Sequence, residues 1–142
     1  NWFLREFGKV YKNIEIDIIE VSDVTLFADS NMLKTILRNL VSNAIKFSYI
    51  NSKISLKIEK PGDKAVITVS DDGTGIPESI QSRLWKISEH ITTQGTQKET
   101  GTGLGLLLCK DFVEKHDCNI WVESETGKGS DFKFTMPVVQ PI

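Results

Sequence analysis

The sequence has little of what secreted, membrane-crossing or nucleic-acid-coating proteins need. It carries two cysteines in 142 residues. Cys109 and Cys118 lie nine positions apart, a spacing that fits neither a zinc site nor a redox CxxC pair. Both are expected to be buried, reduced thiols. No apolar run approaches the ~20 residues a membrane-crossing helix requires, so no membrane contact by this fragment is expected. The opening residues, Asn1-Trp2-Phe3-Leu4-Arg5-Glu6, lack the basic-then-apolar order of a secretory leader. A positive surplus is missing too: 17 basic residues against 19 acidic ones leave −2, which argues against a nucleic-acid partner held by bulk charge. Repeats and low-complexity tracts are absent. What is there is the composition of one globular domain, 39% hydrophobic and 25% charged. A chain this size buries about two thirds of its surface on folding, enough for a core without disulfides or metal. The start at Asn1 rather than Met reads as a piece of a longer protein.

Hydrophobic spacing predicts the elements. Phe3, Phe7, Val10 and Tyr11 recur at helical intervals and predict a first helix ending near Lys12-Asn13. Ile14, Ile16 and Ile18 alternate with Glu15 and Asp17, as in a half-buried strand. A short strand is expected at 24–28. Asp29 or Ser30 then caps a long helix to about Phe47, with Leu33, Ile36, Leu37, Leu40, Val41 and Ala44 on one broad stripe. Residues 51–60 and 64–70 read as a hairpin turning at Pro61-Gly62-Asp63. Pro77 opens a helix to about Lys86. Residues 88–102 have no period, and long aperiodic loops in compact domains are often functional. Residues 103–116 read as another helix, and 119–124 and 131–136 as two strands. The expected fold is α+β: a two-layer α/β sandwich, its mixed and mostly antiparallel sheet covered by helices on one face.

Three polar constellations stand out. Asn39, Asn43 and Lys46, at i, i+4 and i+7, share the edge of the long helix, beside its apolar stripe. An amide oxygen there can ligate a hard cation, and a lysine can hold a phosphate. Asp71-Asp72-Gly73-Thr74-Gly75-Ile76-Pro77 runs from a strand through two glycines into a helix, where glycine lets backbone approach a ligand closely. Gly101-Thr102-Gly103-Leu104-Gly105-Leu106 opens a helix with free N–H groups suited to phosphate. Singly, each also fits a polar helix shoulder, a solvated turn or a flexible hinge.

In this order the three resemble the N box and the two glycine boxes of the catalytic ATP-binding domain of bacterial two-component sensor histidine kinases. That domain has the Bergerat ATP-binding fold, shared with gyrase, a heat-shock chaperone class and the MutL mismatch-repair proteins. The tail from His116 through Trp121-Val-Glu-Ser124, Gly127-Lys-Gly-Ser130 and Phe132-Lys-Phe134 matches as well. The resemblance implies ATP and Mg²⁺ as cofactors. Asn43 would ligate the metal, Lys46 would contact the phosphates, and Asp71 would receive the adenine amino group. Gly73, Gly75 and Ile76 would line the base, and Gly101, Thr102, Gly103, Leu104, Gly105 and Leu106 would surround the phosphates, with residues 88–100 as a mobile lid. Asn39 and Lys46 are the implied catalytic positions. Hydrolytic relatives carry a glutamate where Asn39 stands, and an amide cannot act as general base. That favours phosphoryl transfer to a partner.

Two departures are visible. The F box, roughly Phe-x-Pro-Phe, is here Leu84-Trp85-Lys86-Ile87-Ser88, and the family's His-Gly-Gly is His116-Asp117-Cys118. Neither His90 nor His116 sits in a phosphoacceptor motif. The resemblance therefore implies residues 1–13 as a remnant of the link to a missing dimerisation and histidine-phosphotransfer hairpin, 14–137 as the kinase catalytic domain and 138–142 as a tail. It implies the hairpin as partner, a response regulator downstream, and a cytoplasmic location, with the parent either free or anchored in the inner membrane. A serine kinase of the anti-sigma type and a non-catalytic nucleotide-binding module stay open as alternatives.

Overall fold

The structure, a computed structural model, describes residues 14–20, 24–86 and 104–139. The expected first helix, the segment 88–100 with His90, and Gly101, Thr102 and Gly103 lie outside the described residues. The elements run β1 (Glu15–Glu20), α1 (Ser30–Phe47), β2 (Lys53–Glu59), β3 (Lys64–Asp71), α2 (Glu78–Gln81), α3 (Leu104–Glu114), β4 (Ile120–Glu125) and β5 (Gly129–Pro137). The five strands form one sheet in the order β1-β2-β3-β5-β4. β1 and β2 are parallel, joined through α1, and the other pairs are antiparallel. This is the two-layer α+β sandwich expected from the sequence. No helix among the described residues is long and apolar enough to cross a membrane.

The α1 stripe forms the upper half of the core. Ile36, Leu40, Val41 and Ala44 are buried against the inward residues of the sheet. Strand register sorts those residues into rows, because inward side chains recur every second position. Ile58, Ile67, Phe134 and Ile120 make one row, and Leu56, Val69, Phe132 and Val122 make the next. The following row is Ile54, Asp71, Ser130 and Ser124. On the inward face the sheet thus turns from apolar to polar at a single step, beside the carboxyl end of β3.

The helix ends follow local chemistry. Asp29 caps α1, its carboxylate accepting from the Met32 N–H at 2.9 Å. His116 bridges the two helices. Its Nε2 accepts from the Asp29 N–H at 3.0 Å, so the ring proton is on Nδ1 and goes to the Phe112 carbonyl at 2.8 Å. α3 ends in a Schellman turn: the Cys118 N–H reaches the Val113 carbonyl and the Asp117 N–H the Glu114 carbonyl. Asp117 takes the left-handed position there, at φ 56°. An exposed Asp carries that conformation at a cost of about 1 kcal/mol. Both cysteines are free and buried, as expected, and burial pushes the Cys109 thiol up to about 12.

Two expected elements come out differently. Residues 24–28 make no strand: Leu26 forms one isolated bridge to Val138. Pro137 has no N–H to extend that ladder. The helix expected to reach Lys86 is one turn, Glu78–Gln81, followed by i→i+3 bonds from Arg83 to Ile80 and from Leu84 to Gln81. These tighter turns steer Trp85 inward, where it meets Phe132 edge-on at 6.2 Å between ring centroids.

Candidate functional site

Asp71 is the last residue of β3, and the alternation that buries Ile67 and Val69 also turns it inward. Its relative exposure is 6%. Burial, with Asp72 and Asp131 adding like charge, pushes its carboxyl from 3.8 up to about 6. Two backbone N–H groups oppose that rise, from Gly73 at 2.9 Å and from Ser130. A carboxylate held this way is an aimed acceptor, able to take a hydrogen bond from a ligand.

The segment after Asp71 is tied down residue by residue. The Thr74 N–H donates to the Phe47 carbonyl at 3.2 Å, and the Thr74 carbonyl accepts from the Gly127 N–H at 2.8 Å. The Ile76 N–H donates to Ser124 Oγ at 2.8 Å. Gln81 Nε2 donates to the carbonyls of Ile76 and Ser124, at 2.8 and 3.0 Å. Glycine is obligatory at two points. A Cβ at Gly73 would overlap the Phe47 carbonyl oxygen. A Cβ at Gly75 would overlap the Glu125 carbonyl, and Gly75 sits at φ +71°.

α1 connects this loop to the start of α3. Its C-terminal carbonyl, on Phe47, receives Thr74, and further back Asn39 abuts Gly105. These two contacts are about 12 Å apart along the helix. Asn43 lies midway, half-buried, and Lys46 lies in the last turn with its ammonium 4.9 Å from the Phe47 ring centre. In the first turn of α3, Leu104 is exposed and Leu106 packs toward the core. Asp71, Gly73, Gly75, Ile76, Asn39, Asn43, Lys46, Leu104, Gly105 and Leu106 are thus gathered around one end of the sandwich. The described residues contain no group of three or more His, Cys, Asp or Glu side chains suited to a metal. The Asn43 amide oxygen fits a hard cation that takes its other oxygens from phosphates and water.

Sequence pattern alone does not single out Ser124, Ser130 or Gln81. A signal existed for two of them. Ser124 and Ser130 occupy inward positions of strands whose neighbours there, Val122 and Phe132, are apolar. A hydroxyl at such a position needs a partner. Gln81 carries no such signal, because its role depends on a turn that pattern reading makes a longer helix.

The family described as histidine kinase-, DNA gyrase B- and HSP90-like ATPases matches residues 28–140. The circadian input-output histidine kinase CikA of Synechococcus elongatus is 41% identical over 138 residues, 95% of this chain. The catalytic domain of the histidine kinase ThkA superposes with a TM-score of 0.77 at 30% identity, covering 96% of this chain and 86% of that one. ThkA in complex with the response regulator TrrA superposes at 0.74 with 27% identity, over 97% of this chain and 37% of that one. The chain spans 18% to 37% of the length of curated relatives such as CikA. A match of this extent, on a fold shared with a kinase catalytic domain over nearly its whole length, makes this chain a member of the histidine kinase-, DNA gyrase B- and HSP90-like ATPase family.

Proposed function

We propose that this chain is the ATP-binding catalytic part of a histidine kinase, transferring the γ-phosphoryl group of ATP to a histidine on a separate helical hairpin in two-component signalling. The observation that carries this is the buried Asp71 carboxyl, held by the Gly73 N–H at the polar end of the sheet, beside a glycine loop fixed to α1. Asp71 accepts the adenine amino group. Lys46, with the glycine segment Gly101, Thr102, Gly103, Leu104, Gly105 and Leu106, takes the phosphates. Asn43 would hold Mg²⁺, which would supply charge neutralisation at the phosphates. Asn39 supplies no base, so the site positions the nucleotide and leaves the attacking nucleophile to the partner. Phosphoryl transfer with a loose transition state needs mainly that positioning.

His116 is no acceptor, because both ring nitrogens are engaged between α1 and α3. Leu104 and Leu108, four residues apart and 53% and 40% exposed, form an apolar pair beside the phosphate end, suited to the incoming hairpin. A response regulator is the downstream partner, supported by the ThkA complex with TrrA, and the setting is cytoplasmic.

Calorimetry with a nonhydrolysable ATP analogue, with and without Mg²⁺, tests the site. Asp71→Ala is expected to weaken binding at least about tenfold, the worth of a hydrogen bond to a charged group, with or without metal. Asn43→Ala is expected to lose only the Mg²⁺-dependent part. Wild-type affinity in both variants refutes the assignment.

A further inference from the structure

We propose that Gln81 is a positioning residue for the bound nucleotide, latching the far end of the glycine loop to the edge of the sheet through the two protons of its side-chain amide. This rests on the reading of the site as a nucleotide site.

The loop that starts at Asp71 ends at the Ile76–Pro77 peptide. Proline has no N–H, so the Ile76 carbonyl is the one polar group by which that peptide can be held. Its hydrogen-bond partner among the described residues is Gln81 Nε2, at 2.8 Å. The same nitrogen reaches the Ser124 carbonyl at 3.0 Å, on β4, the edge strand of the sheet. Both partners only accept, so the amide nitrogen must face them and spend both its protons there. The Gln81 backbone is engaged as well. Its N–H donates to the Pro77 carbonyl at 3.1 Å, and its carbonyl accepts from the Leu84 N–H at 3.4 Å. One residue thus joins the end of the loop, the edge of the sheet and the turn that brings Trp85 onto Phe132.

Ile76 is bound to one place from both sides: its N–H to Ser124 Oγ at 2.8 Å, its carbonyl through Gln81 to the Ser124 backbone. The demand on position 81 is narrow. Its side chain must reach back five residues and present donors to two carbonyls. Glutamate has the length but, ionised, only acceptors, and methionine has the length but no donor. Without the latch, two part-buried carbonyls lack a donor and the Ile76–Pro77 peptide is free to turn. The backbone from Gly73 to Ile76 then loses its fixed shape, and the nucleotide must order it on binding, at a cost in affinity.

Calorimetry with a nonhydrolysable ATP analogue, run below the melting temperature of each variant, is the test. Gln81→Met is expected to bind about tenfold more weakly than wild type. Gln81→Glu is expected to match Gln81→Met at pH 8. As pH falls toward 5, its affinity relative to wild type recovers, because the protonated carboxyl supplies one O–H donor. The same ratio for Gln81→Met stays flat. Amide hydrogen exchange gives a readout that a purely structural role does not produce. Gln81→Met speeds exchange at Thr74, Ile76 and Gly127 and leaves Ile67 and Phe134, paired in the centre of the sheet, at the wild-type rate. Wild-type affinity in folded Gln81→Met overturns the inference, as does a pH-independent ratio for Gln81→Glu or an equal acceleration across the sheet. If Gln81→Met does not fold, the Gln81→Glu pH series decides alone. A wild-type chain that does not bind the analogue instead overturns the nucleotide site itself.

Discussion

Leu56, Val69, Phe132 and Val122 lie side by side on the inward face of the sheet, and Ile54, Asp71, Ser130 and Ser124 lie two residues away along the same strands. Both rows share strands and face. The first buries hydrocarbon, which stabilises in proportion to the area removed from water. The second buries the Asp71 carboxyl and the Ser130 hydroxyl beside a half-buried Ser124, polar groups that stabilise little even when fully bonded. One step of strand register therefore separates the part of the sheet that holds the molecule together from the part that can hold a ligand.

Breaking the apolar row has the largest expected effect. Phe132→Ala empties a site with 1% exposure and removes the edge contact to Trp85. It is expected to cost about 4 kcal/mol, a large share of the 5–15 kcal/mol of a typical domain. Chemical denaturation measures it, and a loss under about 1 kcal/mol would remove Phe132 from the core.

Asp71→Asn, in the polar row, is expected to act in the opposite direction on stability. The native carboxyl titrates near 6, above its ordinary 3.8. Between those values the folded chain holds a proton that the unfolded chain has released, so the Asp71 contribution improves as pH falls from 6 and worsens as pH rises through 6. At neutral pH the ionised group costs up to about 3 kcal/mol. Asp71→Asn is expected to recover part of that, raising the melting temperature at pH 7, while losing nucleotide affinity. Wild-type ATP affinity is expected to fall below pH 6 while this contribution to stability grows. A variant that binds ATP normally, or melts lower, would erase the distinction between the rows.

Much of this arrangement is legible in the residues. The alternation Ile67, Val69, Asp71 places a carboxylate on a core face, and the α1 stripe gives the helix that faces it, because both depend on periods of 2 and 3.6 read locally. Asp29, one of the two cap candidates, is legible from local side-chain chemistry. Ser124 and Ser130 are less so, since what makes them a pair is register between β4 and β5. Gln81 was not legible, because its partners come from β4 and from the loop ahead of it. Residues 24–28 have the pattern of a strand but form only the Leu26–Val138 bridge, because a strand needs a ladder partner and theirs runs into Pro137.

The smallest expected effect comes from the outward face of the same strands, where polarity is not selected for binding. Glu123 on β4 pairs with Lys133 on β5 at 2.8 Å and also accepts from Trp121 at 3.4 Å. The Lys133 ammonium lowers the Glu123 carboxyl, and Glu123 raises Lys133. For a carboxyl held low, the contribution to stability is present above its ordinary pKa and is lost as pH falls through the lowered value, the reverse of Asp71. The side chain of Glu123 is 57% exposed, so the pair is screened and worth less than about 1 kcal/mol. Glu123→Gln is therefore expected to lower stability by no more than that at pH 7, with the difference vanishing in high salt, and to leave ATP affinity at the wild-type value. A shift in affinity comparable to that of Asp71→Asn would mean that charge on these strands tunes the site from either face, and that the inward position of Asp71 is not what makes it selective.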